Sequence, residues 1–228
     1  VWVPVGEKWT VEVKVHRTNL HLLSGMKGLK GCLRGYVLEP AGGGSILADY
    51  PYYGKFGLEQ GILLSRASLQ AMKDLPGLRE KRYDIVHAHD KDAALSLVYK
   101  DSLPEFEYYF QRTQPVLTIH NIRHQGAHPF ARFPVLGLPE KYRSIFDNFN
   151  SINLLKAGLV TSNRANTVSE RHAYEVTTAE GGRNLDWLLA RMTKETRFYG
   201  ILNGINGTYF NPMTDAMVAF PYDFFSED

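Results

Sequence analysis

Three polar side chains stand directly after two short apolar runs and are the residues best placed to do chemistry. Asp90 ends the run Ile85-Val86-His87-Ala88-His89, and His120 and Asn121 end the run Pro115-Val116-Leu117-Thr118-Ile119. A carboxylate, an imidazole and an amide together offer hydrogen-bond acceptors and donors, which suits a ligand rich in hydroxyl groups. The spacing therefore predicts a binding site wherever these two runs end side by side.

The elements that would bring these side chains together form a β-α-β unit. Tyr83 to Asp90 and Pro115 to Asn121 predict strands, and Asp92 to Lys100 has apolar residues at helical spacing. Strands joined in this way are parallel, and ligands of parallel sheets bind at the carboxyl ends of the strands. We therefore predict an α/β fold with a parallel sheet and a site at Asp90, His120 and Asn121.

Other kinds of site fit the residues less well. His87 and His89 share a strand face and could bind a metal, but imidazoles held by backbone carbonyls explain their spacing equally well, and no metal is expected. There is no Gly-x-Ser-x-Gly elbow for a serine nucleophile, and Asp92, which should lie in the helix, is a poor second carboxylate for glycoside hydrolysis. For Asp90 taken alone, a role as a helix cap explains its position as well as a ligand contact does.

Composition narrows the class of protein. The 228 residues are 44% apolar, enough for a full core, and carry 26 basic and 24 acidic residues with a net charge of +2. That balance gives no field to attract nucleic acid, and no apolar run reaches the roughly twenty residues that span a bilayer. With Cys32 as its single cysteine and no visible signal peptide, the chain is expected to be cytoplasmic. Its start at Val1 is most simply explained by a fragment or a processed product.

The remaining pattern predicts further elements around the central unit. Val1 to Val15 should form a hairpin turning at Gly6-Glu7, and Ile122 to Glu140 a long loop of the kind that forms lids or partner surfaces. Ser169 should cap the following helix. The other predictions are a strand at 37–40, helices at 58–72, 141–155, 170–177 and 184–192, a sheet element at 165–168 and a last strand at 199–204.

A tyrosine-rich stretch from Asp49 to Gly57 has two interpretations. Its rings could line a sugar-binding rim, because an apolar sugar face stacks on a ring while the tyrosine hydroxyl finds a partner. The rings could equally anchor a loop into the core, and composition alone favours this second interpretation.

Five blocks of the sequence resemble, in the same order, the N-terminal catalytic domain of bacterial glycogen synthases and plant starch synthases, glycosyltransferase family five. The similarity runs from about Ser65 to Asp215. The blocks are Asp84-Ile85-Val86-His87-Ala88-His89-Asp90, Leu117-Thr118-Ile119-His120-Asn121-Ile122 with Gln125-Gly126, Ile152-Asn153-Leu154-Leu155-Lys156-Ala157-Gly158, Thr167-Val168-Ser169, and Gly200-Ile201-Leu202-Asn203-Gly204-Ile205 followed by Phe210-Asn211-Pro212 and Thr214-Asp215.

The resemblance implies a Rossmann-like parallel sheet with helices on both faces, an activity and a set of site residues. Members transfer glucose from ADP-glucose or UDP-glucose to the non-reducing end of an α-1,4-glucan with retention, in the cleft between two Rossmann-like domains (the GT-B fold), without metal or other cofactor. By position, Asp90 and His120 would be catalytic, and Asn121, Asn203 and Tyr53 would bind substrate. The location implied is the cytoplasm, or the plastid for a plant or alga.

Departures from the family pattern keep a second interpretation open. Lys91-Asp92 stands where the family has Trp-His, Phe56-Gly57 where it has Asp-Asn, and Ile122-Arg123-His124 where it has Leu-Ala-Tyr. The Lys-x-Gly-Gly-Leu loop of the first βα unit and the C-terminal nucleotide-binding domain are missing. We therefore predict a catalytic N-terminal domain at 1–215, a tail or linker at 216–228, and no transfer by this fragment alone. The alternative is an inactive, synthase-like glucan-binding or scaffold protein. A third, weaker interpretation is a different two-domain glycosyltransferase.

Overall fold

The computed structural model describes residues 1–5, 9–20, 33–41, 57–205, 207 and 210–222. These residues form ten strands and eight α-helices, with two 3₁₀ helices at Phe130–Leu136 and Glu140–Tyr142. The helices are α1 (Gly57–Asp74), α2 (Asp90–Ser102), α3 (Pro104–Phe110), α4 (Arg143–Phe146), α5 (Leu154–Thr161), α6 (Glu170–Glu175), α7 (Ala179–Gly182) and α8 (Asp186–Lys194). The strands are β1 (Trp2–Val5), β2 (Trp9–Leu20), β3 (Leu33–Pro40), β4 (Ile85–His89), β5 (Gln114–Ile119), β6 (Ala127–Pro129), β7 (Asp147–Asn148), β8 (Ser151–Asn153), β9 (Arg164–Thr167) and β10 (Phe198–Gly200).

The chain divides into two compact units. The first contains residues 1–16 and 37–202, and the second contains residues 17–36 and 203–228. The predicted boundary between residues 215 and 216 stays a prediction. No helix among the described residues combines the length and the apolar character needed to cross a bilayer.

A parallel sheet lies at the centre of the first unit. Its strand order is β10-β9-β5-β4, and all three pairings are parallel. The connection from β4 to β5 runs through α2 and α3, so the predicted β-α-β unit is confirmed. The predicted α/β class with a Rossmann-like sheet is confirmed with it.

The two faces of β4 differ in burial, which decides where its histidines point. Val86 and Ala88 are buried, whereas His87 and His89 on the opposite face are exposed. On the buried face α5 packs against α2 and β5 at Gly158, where an added Cβ would lie 2.8 Å from Ala94 Cβ. The histidines therefore lie on the face of the sheet away from this contact.

The first sheet confirms the predicted N-terminal hairpin and the strand after it. β1 pairs antiparallel with β2, and β3 completes the sheet in the order β1-β2-β3. The predicted turn at Gly6-Glu7 lies outside the described residues. The sheet is tied to α1 by Arg66, whose guanidinium donates to the Pro4 carbonyl.

The predicted helix at 141–155 is wrong. The segment instead holds a 3₁₀ turn, α4 and the antiparallel hairpin of β7 and β8, and the next helix begins only at Leu154. Phe149 and Asn150 adopt left-handed backbone angles, with φ of 52° and 59°, which reverse the chain and end any helix. The aromatic spacing that suggested a helix comes from Phe146 in the core and Phe149 at the exposed turn.

The long loop at 122–140 is more ordered than the sequence predicted. β6 pairs antiparallel with β8, and the 3₁₀ helix that follows buries Phe130, Phe133 and Leu136. The segment is therefore part of the core rather than an open lid.

Most other predicted elements are confirmed, with shifted ends. Ser169 caps α6, because its hydroxyl accepts from the His172 amide at 3.2 Å. The helices predicted at 58–72 and 184–192 correspond to α1 and α8, and β9 covers the predicted sheet element. The last strand ends at Gly200 rather than at Asn203-Gly204.

Candidate active site

Asp90 lies where β4 ends and α2 begins, and its carboxylate joins the ends of two neighbouring strands. Its Oδ1 accepts from the backbone N–H groups of His120, at 2.8 Å, and Asn121, at 3.3 Å. The interpretation of Asp90 as a helix cap is wrong, because His89 holds the cap position, without a side-chain bond, and the Asp90 carboxylate accepts from residues at the end of β5 instead. The second carboxylate oxygen has no hydrogen-bond partner among the described residues.

The backbone of Asp90 is strained. Its φ is 57°, in the left-handed region that non-glycine residues seldom adopt. Such angles cost roughly 1–3 kcal/mol and tend to occur at functional sites. The hydrogen bonds from the two backbone amides hold Asp90 in this conformation.

The His120 ring is hydrogen-bonded to a second imidazole, that of His89. His89 Nδ1 and His120 Nε2 are 2.9 Å apart, and the two rings meet edge to edge, with centroids 5.2 Å apart and planes inclined by 27°. Both side chains are exposed. Among the residues that the structure describes, none bonds to His120 Nδ1.

His87 adds a third imidazole to this pair. Its ring centroid is 4.4 Å from that of His89, and its Nε2 lies 2.7 Å from Thr118 Oγ1. The Thr118 hydroxyl donates in turn to Asn166 Oδ1 at 2.8 Å. The expectation that backbone carbonyls hold these imidazoles is therefore wrong, because their partners are side chains.

Burial and mutual repulsion keep two of these imidazoles uncharged. Burial lowers the pKa of His87, and the charges of His89 and His120 lower it further. Burial also lowers the pKa of His89, as does the charge of His120, while Asp90 opposes the shift. His87 and His89 are therefore neutral at pH 7. Within the described ranges, no group of three or more His, Cys, Asp or Glu residues is arranged to hold a metal ion.

Asn121 completes the cluster predicted from the sequence. Its Oδ1 accepts from the Arg123 amide at 3.0 Å, and its side-chain NH₂ has no acceptor within the described ranges. Asp90, His120 and Asn121 are thus brought together, as predicted. Their chemical roles stay predictions.

Two other predicted site residues are not placed in this cluster. Asn203 lies in the second compact unit and is exposed. Tyr53 lies outside the described residues, as do the other residues of the tyrosine-rich stretch up to Phe56. Both assignments stay predictions.

Sequence reasoning missed the contact between His89 and His120. The signal was present in the parallel register, because His89 pairs with Thr118, two residues before His120. A side chain at that position can reach the end of the neighbouring strand.

Gln125 fixes the loop that follows Asn121. Its amide donates to the carbonyls of Ile122, at 3.1 Å, and Arg183, at 3.0 Å, and its Oε1 accepts from Asn153 Nδ2 at 2.6 Å. Asn153 also caps α5, since its Oδ1 accepts from the Lys156 amide at 2.8 Å. One side chain therefore connects three segments beside the site.

The same loop forms one wall of a cleft of about 360 Å³. Two guanidinium groups and two carboxylates give this cleft a mixed charge, and the carboxylate of Glu175 is bonded to Arg171 at 2.7 Å. Such a lining offers donors and acceptors for hydroxyl groups. The cleft is lined by Ile122, Arg123, His172, Glu175, Thr178, Glu180, Gly181 and Arg183.

The sequence profile described as the starch synthase catalytic domain matches residues 15–191. The chain belongs to this family. As predicted, it is a member of the glycogen and starch synthase group of glycosyltransferases.

Curated relatives of the starch synthase family support this assignment. The glycogen synthase of Pseudothermotoga lettingae is 38% identical over 178 residues, which cover 77% of this chain and 35% of that protein. The glycogen synthase of Thermotoga maritima is 38% identical over 167 residues, covering 72% of this chain and 33% of that protein. The chain therefore spans about a third of the length of these relatives.

A solved structure from the same family shows the same fold. It is the catalytic domain of Starch Synthase IV from Arabidopsis thaliana bound to ADP and acarbose. The two chains superpose with a TM-score of 0.75 at 24% identity, over 98% of this chain and 43% of the other. This likeness concerns the fold.

Proposed function

We propose that this chain is most of the acceptor-side half of a glucan synthase. The proposed reaction transfers glucose from ADP-glucose or UDP-glucose to the non-reducing end of an α-1,4-glucan, with retention at the anomeric carbon. The nucleotide sugar is a substrate, and the reaction uses no separate cofactor. The observation that carries this proposal is the joining of the two strand ends by Asp90, whose Oδ1 accepts from both His120 and Asn121.

Each group of the cluster has a role in holding the reacting sugar. The second oxygen of Asp90 accepts from a sugar hydroxyl, and the NH₂ of Asn121 donates to another. His120 lies against the donor glucose near the anomeric carbon and presents its Nδ1. Groups held in place before binding stabilise an oxocarbenium-like transition state without a reorganisation cost.

The rest of the reaction requires a second domain. The chain covers 35% of the length of the Pseudothermotoga lettingae relative, and we assign the nucleotide site to the part that it does not cover. Basic side chains there balance the charge of the leaving diphosphate. Asn203 and Tyr53 add contacts to the substrate, and this chain alone does not catalyse transfer.

A glucan-binding protein without transferase activity is the second candidate. The observation that favours it is the change after Asp90, where Lys91 and Asp92 replace the family's Trp-His pair. Lys91 is buried, and its ammonium group forms an ion pair with the Asp92 carboxylate. The protein would then bind glucan at the same strand ends without receiving a donor.

The deciding experiment is glucan elongation by the full-length protein with radiolabelled ADP-glucose and UDP-glucose. We expect incorporation from one donor and a loss of at least about a hundredfold in Asp90→Ala, because the sugar loses a positioned contact. Asp84→Ala is the matched control, since Asp84 is an exposed acid just before β4. Unchanged elongation in Asp90→Ala would remove Asp90 from the site. Glucan binding without incorporation from either donor would favour the second candidate.

A further inference from the structure

We propose that His89 is a positioning residue that orients His120 and fixes which ring nitrogen of His120 carries the proton. His120 then presents its Nδ1 to the bound sugar in a single state. This inference rests on the proposed function for its catalytic consequence, but the arrangement of the two imidazoles does not depend on it.

The contact between the two rings is a hydrogen bond between nitrogens. His89 Nδ1 and His120 Nε2 are 2.9 Å apart. Because a neutral imidazole has one donor and one acceptor nitrogen, a single proton lies between them. If His89 donates it, His120 carries its own proton on Nδ1, and if His120 donates it, Nδ1 is bare. Either way His89 determines what His120 offers to a ligand.

His89 also contacts the ring of His87, which a second set of hydrogen bonds holds in place. The hydroxyl of Thr118 donates to Asn166 Oδ1, so its oxygen must accept from His87 Nε2. His87 therefore carries its proton on Nε2, and its ring lies against that of His89 with centroids 4.4 Å apart and planes inclined by 31°. Thr118 is 4% exposed, so the hydrogen bonds anchor His87 in the sheet interior, and His89 is supported through the ring contact.

The surroundings of His89 favour its uncharged form. The groups facing His89 are His87 and Asp90 on its own segment and His120 at the end of β5. Burial and the neighbouring imidazole lower the pKa of His89 against the opposing charge of Asp90. An uncharged His89 can hold His120 through one shared proton rather than repel it.

The first test measures ring ¹⁵N chemical shifts of the histidines in this 228-residue chain by NMR. We expect the wild-type His120 to show one tautomer and His89→Ala to shift it to a mixture. His16→Gln is the control, because His16 pairs with Glu39 in the first sheet. Unchanged His120 shifts in a folded His89→Ala variant would overturn the proposal.

Two amide variants separate positioning from simple loss of packing. Asparagine places its amide near the position of Nδ1, whereas glutamine places it near Nε2. Since His89 uses Nδ1, His89→Asn should restore one defined state of His120 and His89→Gln should not. Equal behaviour of the two variants would contradict the assigned contact.

The second test measures elongation kinetics of the full-length protein. We expect His89→Ala to lower kcat roughly tenfold to hundredfold, with less than a twofold change in the KM for glucan, and His89→Asn to recover part of the loss. A wild-type kcat in His89→Ala would overturn the positioning role. If the wild-type protein itself transfers no glucose, the proposed function fails, while the NMR result still decides the contact between the rings.

Discussion

Asp90 combines a strained backbone with two hydrogen bonds that hold its side chain in place. Its left-handed φ of 57° is sustained by the amides of His120 and Asn121, which bind one carboxylate oxygen. The other oxygen is thereby fixed in direction before any ligand arrives. Positioned groups of this kind lower a barrier because their orientation is set during folding.

Replacing Asp90 should therefore also affect stability. We expect Asp90→Ala to lower the free energy of unfolding by about 1–3 kcal/mol, because two amides lose a charged acceptor and alanine is disfavoured at positive φ. Asp90→Asn keeps an oxygen acceptor and tolerates the left-handed region, so it should lose less than about 1 kcal/mol. Urea unfolding at pH 7 measures both. Equal losses would show that the bonds to Asp90 Oδ1 do not stabilise the fold.

His128 should make stability depend on pH. Burial lowers its pKa to about 4, with further contributions from Arg132 and Lys91. Between pH 6.5 and 4 the unfolded chain binds a proton at this site that the folded chain does not. Its contribution is therefore fully present above pH 6.5 and is lost as the pH falls toward 4. We expect His128 to lower the free energy of unfolding by about 1–2 kcal/mol over this pH range, allowing for its partial exposure.

The variant His128→Gln isolates this effect. Its stability relative to wild type should improve by that amount between pH 6.5 and 4.5, and the difference between the two proteins should be constant above pH 7. Chemical denaturation at a series of pH values measures it. A difference that does not change with pH would show that His128 titrates normally.

Helices α2 and α5 approach each other closely enough to require glycine. A Cβ added at Gly158 would lie 2.8 Å from Ala94 Cβ and 3.3 Å from Leu117 Cδ2. Real Cβ atoms do not approach a neighbour so closely, and α2 begins at Asp90. This contact therefore sets the distance between the start of α2 and the sheet that carries His120.

Substitution at Gly158 should be destabilising despite the better helix propensity of alanine. We expect Gly158→Ala to cost about 1–3 kcal/mol through overpacking. Ala94→Gly in the same chain should recover at least about 1 kcal/mol of that loss in a double-mutant cycle. Gly61→Ala in α1 is the control, because its nearest neighbour would be at 3.4 Å, an ordinary contact. Additive effects of Gly158→Ala and Ala94→Gly would contradict this account.

The sequence predicted elements whose signal is local and missed those set by distant contacts. The β-α-β unit was found because its strands are short apolar runs that stop at polar residues. The prediction of a helix at 141–155 failed because the spacing of its aromatic residues resembled a helical face. Left-handed angles at Phe149 and Asn150 produce a hairpin there instead. The bond between His89 and His120 depends on strand register, which periodicity does not specify.

At the scale of the whole molecule, the chain spans about a third of the length of its curated relatives. We expect the 228-residue chain alone to bind maltoheptaose weakly and to incorporate no glucose from either donor. Affinity electrophoresis in glycogen measures binding, with Asp90→Ala as the weakened variant and Asp84→Ala as its control. Elongation by the isolated chain would contradict the assignment of the nucleotide site to the uncovered part.

Gln125 gives the loops around the site a particular chemical vulnerability. Both protons of its amide nitrogen are donated, to the carbonyls of Ile122 and Arg183, while its oxygen accepts from Asn153. Deamidation to glutamate would alter a single atom and set a negative charge against two carbonyl oxygens. The side chain would keep its size and gain only about one dalton, but its hydrogen bond to Arg183 would be replaced by repulsion. Two segments that lie 58 residues apart in the sequence would thus lose this connection.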